Sequence, residues 1–231
     1  MEDLALTGSG TPAFLFDLDG TLVDSVYQHV LAWRDALEQA GMPLAVWRIH
    51  RRIGMSGGLF VNALARETGR SLGAEEVERV QQWHLEAFRR YAGQVRPLPG
   101  ARELMAYLAQ AQAPHAVATS GYEESARRSL ETLGVGPDVP LITRDQVARA
   151  KPDPDLFLAA AQRLGVEIEA SVVVGDSIWD LLAARRARAL GVGLLSGGYG
   201  EDELQRAGAY RVYQDPADLL AHLDEVGVRS R

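Results

Sequence analysis

The chain contains no cysteine among its 231 residues. That absence excludes disulfides, thiolate zinc sites, iron–sulfur ligation and a cysteine nucleophile, and it agrees with a reducing compartment. Long apolar runs are also missing, since none approaches the ~20 residues that a membrane-spanning helix needs. Met1 to Pro12 are partly acidic and lack an apolar centre, so they do not read as a signal peptide. The expected location is the cytoplasm, away from membranes. Positive charge is in deficit: 24 Lys and Arg against 31 Asp and Glu give a formal net charge of -7. Nonspecific nucleic-acid binding needs basic surface to displace counterions, so nucleic acid is not the expected partner. An anionic small molecule stays compatible, because a local cation can reverse the field of one site. The 5 histidines show no ligand spacing. Repeats and low-complexity tracts are absent, and nothing in the sequence specifies an oligomeric state.

What is present is an ordinary globular composition, 47% hydrophobic and 24% charged. The length suits one large α/β domain or a core plus a smaller unit. The stretch Phe14-Leu15-Phe16-Asp17-Leu18-Asp19-Gly20-Thr21 organises the rest. Its apolar start reads as a buried parallel strand, which places the Asp pair at the carboxyl end where open α/β sheets bind ligands. Alternation would point Asp17 and Asp19 the same way. A strand followed by a polar turn with a capping Asp is the plainer alternative.

Downstream, Val26, Val30, Trp33 and Leu37 form a helical stripe within Thr21–Ala40, ended by Gly41. Short helical pieces are expected near 46–52 and 58–68, and a strong amphipathic helix spans 74–91 behind Glu75, Glu76 and Glu78. Trp33, Trp47 and Trp83 read as core of this block, and His84 as packing on its own helix. No strand signal occurs between Ser25 and Arg96. Pro97-Leu98-Pro99-Gly100 suits a hinge. Beyond it, strands at 115–119, 141–142, 171–176, 192–195 and 210–213 alternate with helices at 101–112, 123–133, 155–164, 177–189 and 216–225. Asp153 is a plausible cap for the helix at 155. This rhythm predicts a doubly wound, Rossmann-like parallel sheet. The expected organisation is an α/β core made of residues 1–24 and 96–231, with an all-helical cap inserted at 25–95.

Three strong apolar runs end in reactive polar residues: Asp17 with Asp19, Thr119 with Ser120, and Asp176. Parallel strands would bring them to one edge. Lys151 follows a fourth strand after a loop, and Asp180 lies one helical turn beyond Asp176. Carboxylates crowded together raise one another's pKa unless a cation lies between them, and an all-oxygen donor set favours Mg2+. Lys151, the Thr119 hydroxyl and backbone amides near Ser120 and Gly121 could bind phosphate oxygens. One carboxylate could then attack phosphorus while the other handles the leaving-group proton.

In order and spacing, Asp17-Leu18-Asp19-Gly20-Thr21, Thr119-Ser120, Lys151-Pro152 and Gly175-Asp176-Ser177-Ile178-Trp179-Asp180 resemble the four motifs of the haloacid dehalogenase superfamily. The layout resembles its members with a helical cap, such as phosphoglycolate phosphatase and β-phosphoglucomutase. The resemblance implies Asp17 as nucleophile and Asp19 as general acid/base, with Thr119, Ser120 and Lys151 binding phosphate. It implies Mg2+ held by Asp17, the Asp19 carbonyl and Asp176, with Asp180 further out. The expected activity is hydrolysis of a small-molecule phosphate monoester through an aspartyl-phosphate. A phosphomutase shares the same motifs, and a noncatalytic phosphate-binding protein could share the fold. Asp19 argues against dehalogenation. The absence of lysine from residues 25–95 argues against a phosphonate-cleaving imine mechanism. Substrate choice is expected in the glycine-rich segment Arg51–Gly58, through Arg52, Gly54 and Ser56, with arginine reaching a second anionic or hydroxylated group.

Overall fold

Short apolar runs bounded by turn residues form strands, and six of them assemble into one sheet. A computed structural model describes residues 11–227, so Met1–Gly10 and the last four residues lie outside the description. In chain order the elements begin with β1 (Ala13–Phe16), β2 (Val23–Asp24), α1 (Val26–Gln39), α2 (Val46–His50), α3 (Gly57–Glu67) and α4 (Ala74–Tyr91). They continue through β3 (Arg96–Pro97), α5 (Ala101–Gln110), β4 (His115–Ala118), α6 (Glu123–Leu133), β5 (Leu141–Ile142) and α7 (Asp155–Leu164). The last are β6 (Ser171–Gly175), α8 (Ile178–Ala187), β7 (Leu190–Leu194), α9 (Glu201–Ala207), β8 (Ala209–Tyr213) and α10 (Pro216–Ala221).

The strand order is β5-β4-β1-β6-β7-β8, and every pairing is parallel. This is the doubly wound α/β sheet that alternating strands and helices dictate. β1 lies at the centre, with β4 on one side and β6 on the other. The chain reverses direction across it, and the carboxyl ends of these three strands open onto a shared crevice. Both faces of β1 are covered, so Phe14, Leu15 and Phe16 are all fully buried. This explains the unbroken apolar run where a half-exposed strand would alternate.

Between β2 and β3 lie four helices with an apolar cluster of their own, which includes Val30, Trp33, Leu37, Phe60, Leu64 and Val80. Their pattern follows the 3.6-residue period, with α1 packed on α4. Trp47 is not part of this core. The residue is 62% exposed, and the Arg48 guanidinium lies over its ring, 4.8 Å from the centroid.

Three local features depart from the sequence reading. α1 begins at Val26, because Gly20 (φ 88°) turns the chain and β2 pairs antiparallel with β3 first. Asp153 does not cap α7; it lies 3.4 Å from Arg186, and Pro154 occupies the cap position. The helix α9, whose first turn is the acidic Glu201–Glu203, has no counterpart among the elements expected from the sequence. No described helix is long and apolar enough to cross a membrane.

Candidate active site

The turn after β1 sets the first pair of carboxylates. Asp17 is 4% exposed, and its amide donates to Val174 O on β6 at 2.9 Å. The Leu18 carbonyl accepts from the amides of Leu22 and Val23, which closes the turn. A Cβ at Gly20 would stand 2.5 Å from Asp176 Oδ2, so this position needs glycine for space as well as for its positive φ.

Asp17 and Asp19 make different contacts. Asp17 accepts from Lys151 Nζ, which also lies 2.8 Å from Asp180 Oδ1. Lys151 is the chain's single lysine and is fully buried. Asp19 Oδ1 accepts from Ser25 Oγ at 2.6 Å and lies 3.3 Å from His29 Nε2, while its Oδ2 accepts from Thr119 Oγ1 at 3.4 Å. Asp176 Oδ1 accepts from Thr21 Oγ1 at 3.1 Å. Asp180 caps α8, where its Oδ2 accepts from Ser177 N at 3.1 Å and from Ser177 Oγ at 2.5 Å.

The electrostatics follow from burial. Burial pushes the Asp17 carboxyl up to about 7; Lys151 opposes this, while Asp180 and Asp19 add to it. Asp176 is driven well above the carboxylate range by burial and then by Asp180 and Asp17. Burial alone would lower Lys151, but the charges of Asp17 and Asp180 hold it above the usual lysine range. Burial would raise Asp19 as well, yet His29 and Ser25 keep it below the usual carboxylate value. Carboxylate oxygens of Asp17, Asp176 and Asp180 lie within 4.8 Å of one another. One lysine cannot compensate three buried carboxylates, so this all-oxygen set fits a hard divalent cation.

The cleft above Asp17 has a volume of about 80 Å³. Thr119, Ser120 and Gly121 border it from β4, and Trp33, Phe60 and Phe88 from the helices. Thr119 Oγ1 accepts the Gly121 amide at 2.9 Å, and Ser120 Oγ donates to Gly54 O at 3.1 Å. The expected Arg51–Gly58 segment divides. Gly54 lines the cleft, and the buried Ser56 donates its amide to Lys151 O at 3.0 Å. Arg52 does not line the cleft; its Nη2 donates to Glu67 on α3 at 2.8 Å. Arg51 pairs with Glu203. Sequence reasoning missed Ser25, His29 and Arg144. Arg144 lines the cleft from the loop after β5 and has no carboxylate within ion-pair distance among the described residues. A lone histidine in a helix and a lone arginine in a loop carry no pattern.

Residues 11–188 match the family model of haloacid dehalogenase-like hydrolases. The chain belongs to that family. A hydrolase from Pseudomonas syringae shares the fold at a TM-score of 0.92, with 53% identity over 94% of this chain and 100% of that one. A phosphoglycolate phosphatase of Rhodospirillum rubrum is 33% identical over 90% of this chain and 88% of its own length. An N-acetylmuramic acid 6-phosphate phosphatase of Pseudomonas aeruginosa is 29% identical over 92% of this chain and 94% of its own length. In this haloacid dehalogenase-like hydrolase, the four motif regions meet at one end of the sheet, around Asp17 and Lys151.

Proposed function

We propose that the protein is a Mg2+-dependent phosphatase that hydrolyses a small-molecule phosphate monoester through an aspartyl-phosphate on Asp17. The observation that carries this reading is the contact of Asp17 with the buried Lys151, beside Asp19 and within the Asp176–Asp180 cluster. The names of the relatives support phosphate esters as the substrate class.

Lys151 orients the Asp17 carboxylate and, with the Thr119 hydroxyl, offers donors to phosphoryl oxygens. Asp17 attacks phosphorus, the P–O bond to the alcohol breaks, and Asp19 gives its proton to the departing oxygen. A phosphoryl dianion entering the cleft raises the proton affinity of Asp19, as any nearby like charge does. Asp19 then takes a proton from the water that attacks the phosphoaspartate, which releases phosphate and restores Asp17. His29 and Ser25 favour the carboxylate form of Asp19 and so suit this second half. Asp17, the Asp19 carbonyl and Asp176 would hold Mg2+, which supplies positive charge against the phosphoryl oxygens. Residues 25–95 would act as the cap that closes over the leaving group, with Gly54 and Ser56 docking it to the core.

The test is phosphate release from a panel of phosphate esters, with Mg2+ and after chelation. Wild-type protein is expected to release phosphate only with the metal. Asp17→Asn is expected to lose about 10³-fold or more with its circular dichroism unchanged. Release from no ester under either condition would overturn the reading.

A further inference from the structure

Two cavities meet at the cleft. The inner one, over Asp17, has a volume of about 80 Å³. This is well below the roughly 300–1,000 Å³ of small-molecule pockets. The outer one, at about 360 Å³, is within that range and runs between the end of α4 and α6. Leu85, Phe88, Tyr122 and Ser125 line both, so the outer cavity continues the inner one. Beyond them, Ala92, Gly93, Val95, Ser129 and Thr132 form the outer walls.

We propose that these cavities form one binding path for the phosphate ester of a medium-sized, uncharged, predominantly apolar alcohol. The inner chamber takes the phosphoryl group, and the outer cavity takes the body of the alcohol. The substrate class rests on the phosphatase reading above.

Size and polarity support this assignment. A leaving group longer than a few atoms has little room beside the phosphoryl group in the inner chamber, and the outer cavity adjoins it along Phe88 and Tyr122. The helical segment contributes Trp33, Ile53, Met55, Phe60 and Leu85 to the inner wall, but no lysine or arginine. A carboxylate directed there would meet His29, Gln81 and His84 but no guanidinium or ammonium, and desolvation would oppose it. Arg144 lies on the opposite side, its amide donating to Gly121 O at 3.1 Å beside the phosphate-binding turn, and it does not line the outer cavity. Arg89 and Arg128 border the outer cavity and share one carboxylate, Glu124, at 3.5 and 3.3 Å; all three side chains are more than 60% exposed, so solvent screens the one positive charge left over.

Gly93 allows a selective block. A Cβ there meets no atom within 4 Å, so Gly93→Trp places an indole at the wall of the outer cavity without a backbone clash and away from Asp17 and Lys151. Binding is read by calorimetry with 4-phenylbutylphosphonate and ethylphosphonate, which have no scissile ester bond. The longer ligand is expected to bind wild type about 10-fold or more tightly than the shorter one, through buried apolar area. Gly93→Trp is expected to erase that advantage and leave ethylphosphonate within about twofold. Thr132→Trp blocks the opposite wall and is read in its place if the first variant fails to fold. Equal affinities in wild type, or a preference that survives the block, would overturn the proposal. Turnover of the two matching esters separates the readings. Phosphonate preference without phosphate release sinks the phosphatase reading and leaves the binding path. Phosphate release with equal efficiency from both esters, unmoved by the block, sinks the substrate class alone.

Discussion

Lys151 lies between Asp17 and Asp180 with no exposed surface, in a chain that otherwise uses arginine for every basic side chain. An ammonium is a compact point charge, whereas a guanidinium is a broad fork that would need more space in this position. Removing the cation leaves buried carboxylates without compensation. Lys151→Met is therefore expected to cost about 3–5 kcal/mol of stability in urea unfolding, besides activity. A midpoint equal to wild type would show that the ion pair does not hold the site together. At this scale the sequence was most informative where several residues formed a spaced pattern, as with Asp17, Asp19, Lys151 and Asp176. It was least informative for single side chains that reach the site from a helix, such as His29, whose place against Asp19 depends on where α1 begins.

At the scale of the element, the turn around Gly54 shows why local sequence marks a loop without orienting it. Gly54 has φ 93°, and a Cβ there would stand 2.7 Å from Ser177 Oγ across the interface. Gly54→Ala is expected to raise the cost of docking this turn by about 1–2 kcal/mol, seen as a rise in KM of about 5- to 30-fold. An unchanged KM would show that the turn does not control substrate access. On the outer side of the same segment, Glu67 accepts from Arg52 at 2.8 Å and Arg48 at 2.9 Å, and those bonds hold its carboxyl below the usual range. A depressed folded-state pKa contributes stability above the unfolded value of 4.5, and this is lost as pH falls through the folded value. Glu67→Gln is expected to cost about 0.5 kcal/mol near neutrality, reduced by solvent screening, with the gap to wild type closing below that range. A gap independent of pH would assign the cost to packing.

On the scale of the whole molecule, contacts between distant segments hold the helical segment against the sheet. Arg51 pairs with Glu203, Tyr199 Oη donates to Arg51 O at 2.9 Å, and His50 Nε2 lies 2.8 Å from Gly197 O. The Arg51–Glu203 pair is about one-third exposed on each side. Its loss in Arg51→Ala is expected to weaken closure by roughly 0.2–1 kcal/mol, raising KM about 1.5- to 5-fold at low salt and less at high salt. An effect insensitive to salt would point to the Tyr199 stacking contact, where the guanidinium lies 4.3 Å from the ring centroid.

The sequence by itself determined the parallel sheet, the helical segment between β2 and β3, and the carboxylates at the strand ends. Apolar runs, helical periods and strand-terminal residues are local patterns, and burial of those patterns admits few arrangements. Only the tertiary structure decided which way the two neighbouring arginines turn, because their partners are far along the chain: Glu67 is 15 residues from Arg52, and Glu203 is 152 from Arg51. It likewise decided that His29 and Arg144 reach the cleft and that a second cavity opens behind Phe88 and Tyr122. Such features depend on surfaces from separate elements meeting, which no single stretch of sequence contains.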